Sequence, residues 1–207
     1  IHVAGWHQYP KYTYDYERLL RLAHGNGILV FAWLEPPQVS QKFWTEHPEW
    51  REKNWKGEDV RPSWRYPVAM TDPRCLDSLA EEYRRFLSAH DWDGVNLAEL
   101  YFEAGRGFLD PQYFTPMHSS AQAEFRRRHG FELRELFDTT SAHFWKNDPD
   151  AVAKVTDYRV QTLERIYHRL LPILRDAGAG KPGFQVVVTA MDSYHSPELR
   201  EQIGVDM

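Results

Sequence analysis

Short apolar runs alternate with helical stripes along the chain. The runs have the length of β-strands and lie at residues 1–6, 28–33, 94–99, 184–190 and 203–206. Nearly continuous apolar runs of this length are typical of parallel strands that are covered on both faces. Their alternation with helices predicts an α/β protein built on a parallel sheet.

The segments between the runs show the spacing of helices and carry capping residues. A first helix is predicted over 16–23, before the glycines at 25 and 27. Asp72 followed by Pro73 is typical of an N-cap and a first turn, and Asp148 with Pro149 repeats this signal before a long helix. Ser119 is predicted to open a further helix, with Gln122 completing a capping box.

Chain length limits the architecture that these elements can build. A closed (β/α)8 TIM barrel takes about 250 residues, and five units with long insertions in 207 residues fall short of that. Two arrangements fit, namely an open sheet or a contiguous segment of a TIM-type barrel. We favour the barrel segment, as a single partial domain over residues 1–207.

Residues 38–71 form a long polar and aromatic insertion after the second predicted strand. The segment contains Trp44, Trp50 and Trp64. Loops of this length are usually functional or disordered, and a disordered loop carries few aromatic residues. We therefore expect the insertion to pack over the carboxyl ends of the strands.

Composition narrows the possible partners. The net charge of -5 gives no basic footprint for nucleic acid, and no stretch approaches the apolar length of a membrane span. An aromatic content of 14%, much of it in predicted loops, suits a surface that stacks on sugars. No targeting segment is recognised. We expect the start at Ile1 to be an artificial boundary or the point at which a preceding segment was excised. Compartment and oligomeric state stay open.

Carboxylates follow the predicted strands. Glu35 follows the second strand, Glu99 and Glu103 the third, Asp192 the fourth and Asp206 the fifth. Parallel α/β proteins place their chemistry at the carboxyl ends of the strands. The alternative is that these residues are solvated loop acids, which is the usual state of Asp and Glu.

Four short motifs occur in an order that resembles a known family. They are Glu35-Pro36, the segment 46–50 with the sequence Glu-His-Pro-Glu-Trp, Thr71-Asp72-Pro73, and Trp92-Asp93-Gly94-Val95. In this order they resemble the barrel glycoside hydrolases of the α-galactosidase type, and the Asp-Gly-Val strand is also similar to that of bacterial glycosyl-hydrolase-like barrels. The resemblance covers residues 28–103, about half of the chain.

The resemblance implies a glycosidase with its nucleophile at a strand end. Where strands of that family end in a nucleophilic Asp, this chain has Ala98, with Glu99 one position later. Glycoside hydrolysis uses two carboxyl groups, one protonated and one ionised. We expect Glu99 to be the first of these two catalytic carboxyl groups and Asp192 to be its partner. Glu103 is a further candidate.

Other residues are expected to bind the sugar. Glu35 is carried over from the Glu-Pro motif as a ligand of substrate hydroxyl groups. The residues expected to line the cleft are Trp33, Trp44, Trp50, Trp64, Tyr101 and His195. Ordinary core packing is the alternative role for each tryptophan.

The orientation of the third strand is left open by its pattern. Glu99 shares the parity of Val95 and Leu97, whereas Asn96 and Ala98 have the other, and only one parity points into a barrel. If Asn96 faces inward, a bulge is needed to turn Glu99 to the site.

Two other function classes are a metal- or cofactor-dependent enzyme and a non-catalytic barrel domain. The histidines are scattered without a metal-binding spacing, and glycine-rich phosphate loops are absent, so neither a metal nor another cofactor is expected. The rival from another class is a non-catalytic carbohydrate-binding or scaffold barrel domain, which Ala98 favours.

Overall fold

A four-stranded parallel sheet forms the centre of the fold. A computed structural model describes residues 1–4, 15–103 and 106–206, with only the backbone of residues 2–4. The strands lie side by side in chain order, each parallel to the next. They are β1 (His2–Ala4), β2 (Phe31–Leu34), β3 (Gly94–Ala98) and β4 (Gln185–Thr189).

Helices connect the strands. The described α-helices are α1 (Tyr16–His24), α2 (Gln41–Glu46), α3 (Pro73–Ser88), α4 (Ser119–His129), α5 (Pro149–Ala177) and α6 (Glu198–Ile203), with short 3-10 segments at Pro48–Trp50, Gly107–Leu109 and Leu133–Phe137. The side chains of Asp72 and Asp148 cap α3 and α5 as predicted. The cap of α4 was predicted wrongly as Ser119. It is His118, whose Nδ1 accepts from the Ser120 N–H while Nε2 donates to the Glu49 carbonyl.

The prediction of consecutive parallel strands is confirmed for four of the five apolar runs. A sequential order without reversal is the winding of an α/β barrel, whereas doubly wound sheets reverse their order. Residues 5 and 6 of the first run lie outside the described residues. The run 203–206 is not a strand. Ile203 ends α6, and Gly204 caps that helix in the left-handed conformation, with φ +77°.

Helices α1, α3 and α5 lie against one face of the sheet. Ala32, Leu34, Val95 and Leu97 are fully buried in a single core cluster with side chains of α1, α3 and α5. The opposite parity carries Asn96, whose side-chain amide donates to the Thr189 Oγ at 2.9 Å. Asn96 and Ala98 therefore face away from the helices.

A second, smaller core covers the segment that follows β3. It packs the aromatic rings of Phe108, Phe114 and Phe125 against α4 and α5. Among the described residues, no helix is both long enough and apolar enough to cross a membrane.

Candidate active site

Three glutamates and one arginine meet at the carboxyl ends of β2 and β3. Glu35 is the first residue after β2 and Glu99 the first after β3, and Glu103 lies four residues further on. Arg65 comes from the insertion 38–71. All four line one small pocket, together with Pro37, Gln38 and Pro67. The insertion thus reaches the strand ends on the side expected from the sequence.

The backbone of Glu99 is left-handed, with φ +54°. This conformation is uncommon for any residue except glycine, and residues that adopt it cluster at functional sites. The Glu99 N–H still donates to the Thr189 carbonyl at 3.1 Å, so pairing with β4 continues to this point. Because Asn96 faces away from the helices, simple alternation would point Glu99 toward them. The left-handed residue redirects its carboxylate to the pocket, which is the role that the sequence assigned to a bulge.

The guanidinium of Arg65 bridges the two acidic side chains that follow β3. Its Nη2 lies 2.7 Å from Glu99 Oε2, and its Nη1 lies 2.5 Å from Glu103 Oε1. Nη1 also donates to the Tyr101 hydroxyl at 2.9 Å, and that hydroxyl donates to Glu99 Oε2 at 3.3 Å. The two carboxylates and the phenol therefore form one charge-assisted network around a single cation.

Glu35 has a different environment from the other two glutamates. It accepts a hydrogen bond from the Trp33 indole and is about half buried. Burial raises the pKa of Glu35 above its ordinary value of 4.5; the Trp33 hydrogen bond opposes the rise and the nearby charge of Glu99 adds to it. Carboxyls with a raised pKa are the ones that serve as proton donors near neutral pH.

The space between these groups is narrow. The cavity volume is about 10 Å³, which is roughly the space that one water molecule needs. A sugar ring does not fit unless Arg65 or the loop around Pro37 and Pro67 moves. The pocket is therefore polar and nearly closed in this conformation.

Asp192 and His195 do not join this cluster. The two side chains pair with each other, and both are largely exposed. The His195 ring and N–H both bind the Asp192 carboxylate, and this lowers the pKa of Asp192. In the described part of the chain, no hydrogen bond or ion pair links either residue to Arg65 or the glutamates. The partnership of Asp192 with Glu99 stays a prediction, and in this structure the His195 ring satisfies the Asp192 carboxylate within the loop after β4.

The four tryptophans expected in the cleft lie in three different environments. Trp33 contacts Glu35, and the ring of Trp64 is 41% exposed with the Arg65 guanidinium 5.4 Å from its centre. Trp44 is buried in the main core under the Arg51 guanidinium, 3.8 Å from the ring centre. Trp50 stacks on the ring of His47 at 4.3 Å beside the same core. Trp44 therefore packs in the main core and Trp50 beside it.

Arg65 is the residue that the sequence analysis missed. It lies between Trp64 and Tyr66 in a segment without periodic pattern, and its partners are 34 and 38 residues away. Two neighbouring carboxylates such as Glu99 and Glu103 are stabilised by a cation between them. A search for basic residues in the insertion could therefore have suggested Arg65. Among the described residues, no group of three or more His, Cys, Asp or Glu side chains is arranged to hold a metal ion.

Comparison with known proteins shows the fold. No family model matches the sequence, and no curated protein sequence matches it. The structure is similar to the PgaB (BpsB) glycoside hydrolase domain of Bordetella bronchiseptica, with a TM-score of 0.64 and 13% identity over 93% of this chain. It is also similar to the β-galactosidase of Marinomonas ef1, with a TM-score of 0.58 and 12% identity over 90% of this chain.

A third similar structure has a higher sequence identity. The α-L-fucosidase isoenzyme 2 of Paenibacillus thiaminolyticus matches 87% of this chain with a TM-score of 0.50 and 20% identity. The chain spans 51% of the PgaB domain, 32% of the β-galactosidase and 23% of the fucosidase. At these identities the likeness concerns the fold, and the fold is the barrel-like one of glycoside hydrolases, as the sequence motifs predicted.

Proposed function

We propose that this chain is a contiguous segment of a TIM-type barrel from a glycoside hydrolase that acts on an oligosaccharide or polysaccharide. The observation that carries the proposal is the cluster of Glu35, Glu99 and Glu103 at the carboxyl ends of two neighbouring parallel strands. Carboxyl groups at this position are what paired acid and base catalysis of glycoside cleavage requires. The carbohydrate substrate follows from the same fold likeness.

The exposed apolar surface at the β4 edge of the sheet supports the proposal of a barrel segment. β4 is the last strand described, and its Val188 is 41% exposed although it has the parity of the buried Val95-Leu97 face. An apolar groove lies beside it, lined by Leu163, Tyr167 and Leu171 of α5. A further strand and helix would cover this groove in a closed barrel.

We assign the ionised role to Glu99 and the proton donor to Glu35. Arg65 bonds Glu99 and supports its negative charge, while burial favours the protonated form of Glu35. Glu103 bonds the same guanidinium, which brings its carboxylate close to that of Glu99. Catalytic pairs in glycosidases lie about 5 to 9.5 Å apart, and Glu103 is therefore the alternative partner of Glu99.

The test is Glu99→Gln in the full chain, assayed on a panel of α- and β-linked oligosaccharides. This change keeps the shape of the side chain but removes its charge, so reducing-end release should fall by about 100-fold or more. Glu17→Gln, at an exposed position of α1, is the matched control and should keep full activity. Turnover that survives Glu99→Gln undiminished would remove Glu99 from the mechanism.

A second candidate function is carbohydrate binding without catalysis. The observation that favours it is that Arg65 already bonds both Glu99 and Glu103, leaving little room between them. A wild-type protein that binds members of the panel and releases no reducing ends would support this function over hydrolysis.

A further inference from the structure

A basic groove lies between the turn at residues 53–57 and the helix α4. Its cavity volume is about 770 Å³. Five cationic side chains line the groove, and these define it: Lys53, Lys56, Arg126, Arg127 and Arg134. It shares no lining residue with the pocket around Arg65. The groove is large enough for one or two sugar rings.

The groove holds more positive charge than its acidic neighbours balance. Glu132 bonds both Arg126, at 3.2 Å, and Arg134, at 2.6 Å, while Lys53 pairs with Asp59. Two cations, Lys56 and Arg127, take part in no ion pair of the described residues. Because the whole chain has a net charge of -5, this excess of positive charge is local. A concave site of one charge sign attracts ligands of the other.

Helix electrostatics account for only part of this cluster. Arg126 and Arg127 stand in the last turn of α4, where the helix dipole favours basic residues. Lys53 and Lys56 come from a different segment, about 70 residues earlier in the chain, and no helix end requires them. The tertiary structure brings the two groups of cations together across the groove.

The turn that carries Lys56 is held firmly in place. The side-chain oxygen of Asn54 accepts hydrogen bonds from the N–H groups of Lys56 and Glu58, at 2.9 and 3.0 Å. The buried Glu52 carboxylate accepts from the N–H groups of Met117 and His118, at 3.0 and 2.8 Å. These bonds join the turn to the start of α4, so the groove is preorganised, which lowers the entropic cost of binding.

The groove also contains an indole ring. Trp55 is half buried, packs 6.3 Å from Phe137 and has Lys56 Nζ 5.5 Å from its centre. An aromatic ring next to arginine and lysine side chains matches a ligand with apolar ring faces and anionic substituents. Sugars that carry carboxylate or sulfate groups combine these two features.

We propose that the basic groove binds an anionic oligosaccharide, with Trp55 against a sugar face and Lys56 and Arg127 on its anionic groups. The choice of a sugar over other anions rests on the proposed function, whereas the anionic character rests on the groove alone. The groove then serves as a binding subsite apart from the glutamate cluster, and it makes acidic glycans the substrate class.

The experiment is calorimetric titration of the full chain with three tetrasaccharides: a galacturonate tetramer, a heparin-derived tetrasaccharide and neutral cellotetraose. The expected result is that at least one of the two anionic ligands binds tenfold or more tightly than cellotetraose. The galacturonate and heparin arms distinguish carboxylate from sulfate recognition. Binding should weaken as salt is raised, since ion contacts carry it.

The paired variant Lys56→Gln/Arg127→Gln should lower the affinity for the anionic ligand by tenfold or more. Arg18→Gln/Lys42→Gln removes two exposed charges outside the groove and should bind as the wild type does. Loss of turnover in Glu99→Gln and loss of binding in the paired groove variant are measured on different proteins, so the two proposals fail separately.

Three results would overturn the proposal. One is equal affinity for cellotetraose and the anionic ligands, and another is an equal loss in both paired variants. The third is binding of an oligothymidylate eight nucleotides long as tightly as the better oligosaccharide, which would make the groove a general polyanion site.

Discussion

Arg65 is the residue on which the candidate site depends. Its guanidinium donates to Glu99, Tyr101 and Glu103 at once. Without it, two partly buried carboxylates would face each other with no cation between them. A positive charge that holds two acids in place both positions them and stabilises the fold.

The first prediction concerns the removal of this charge. Arg65→Met keeps most of the side-chain volume and should lower the free energy of unfolding at pH 7 by about 1 to 3 kcal/mol, because unpaired partly buried charges are costly. Arg65→Lys should lose less stability, since lysine keeps the positive charge but lacks the forked donors of the planar guanidinium. Urea denaturation measures both. A loss below about 0.5 kcal/mol for Arg65→Met would mean that the network behaves as a solvated surface pair.

The second prediction follows from the raised pKa of Glu35. The folded chain binds the Glu35 proton more tightly than the unfolded chain does, so this group stabilises the fold at low pH. Its contribution is lost as pH rises from the ordinary value of 4.5 through the higher pKa of the folded state. Glu35→Gln carries no such proton, so its stability relative to wild type should increase through this window and then level off.

Denaturation curves of both proteins between pH 4 and pH 8 measure this effect. A constant difference between Glu35→Gln and wild type across the range would contradict a raised pKa at Glu35.

At the scale of elements, β3 decides the geometry of the site. Its five residues are all buried between β2 and β4, and the strand ends where Glu99 becomes left-handed. The strand begins at Gly94, where no space is left for a side chain. A Cβ built on Gly94 would lie 2.4 Å from the Phe31 ring and 2.5 Å from the Gln185 carbonyl oxygen.

The third prediction is that Gly94→Ala destabilises the protein by about 2 to 3 kcal/mol, as overpacking against a backbone atom does. The phenyl ring of Phe31 can rotate away, but the Gln185 carbonyl belongs to the neighbouring strand and cannot. Gly180→Ala is the matched control. Its space is open but its φ is +84°, so it should cost only about 1 kcal/mol. Equal losses for the two variants would show that packing at Gly94 is not the cause.

At the scale of the whole molecule, the buried Arg159 joins the outer layer to the site. It donates to the carbonyls of Thr115, Glu201 and Gln202 at 2.8, 2.5 and 2.9 Å. The N–H of Thr115 in turn donates to the Glu103 carbonyl at 2.8 Å. Burial lowers the pKa of Arg159 to about 9. A single side chain of α5 therefore fixes both α6 and the segment that carries Glu103.

The fourth prediction is that Arg159→Met lowers the free energy of unfolding by about 3 kcal/mol, since three carbonyls lose their donor. Arg159→Lys should recover little, because one ammonium group does not span the positions that the planar fork reaches. Chemical denaturation with circular dichroism measures both variants. Near-wild-type stability of Arg159→Met would mean that water replaces the guanidinium.

Local pattern alone was enough for much of this architecture. The apolar runs predicted four parallel strands in their chain order, and Asp72 and Asp148 predicted the starts of two helices, because strand burial and helix capping depend on residues close in sequence. Glu35, Glu99 and Glu103 could be selected because they directly follow apolar runs. The prediction of a strand at 203–206 was wrong, since Gly204 ends a helix there. A short apolar run does not by itself distinguish a strand from the end of a helix.

Only the tertiary structure decided which of the candidate residues meet. Arg65 reaches Glu99 and Glu103 from a segment 34 to 38 residues away, Asp192 pairs with His195 in its own loop, and Trp44 lies in the core. Likewise, the alternation of β3 left both orientations open until its packing against the helices placed Asn96 on the opposite face. Contacts between distant segments arise from packing and charge pairing in three dimensions, which a one-dimensional pattern of polarity does not encode.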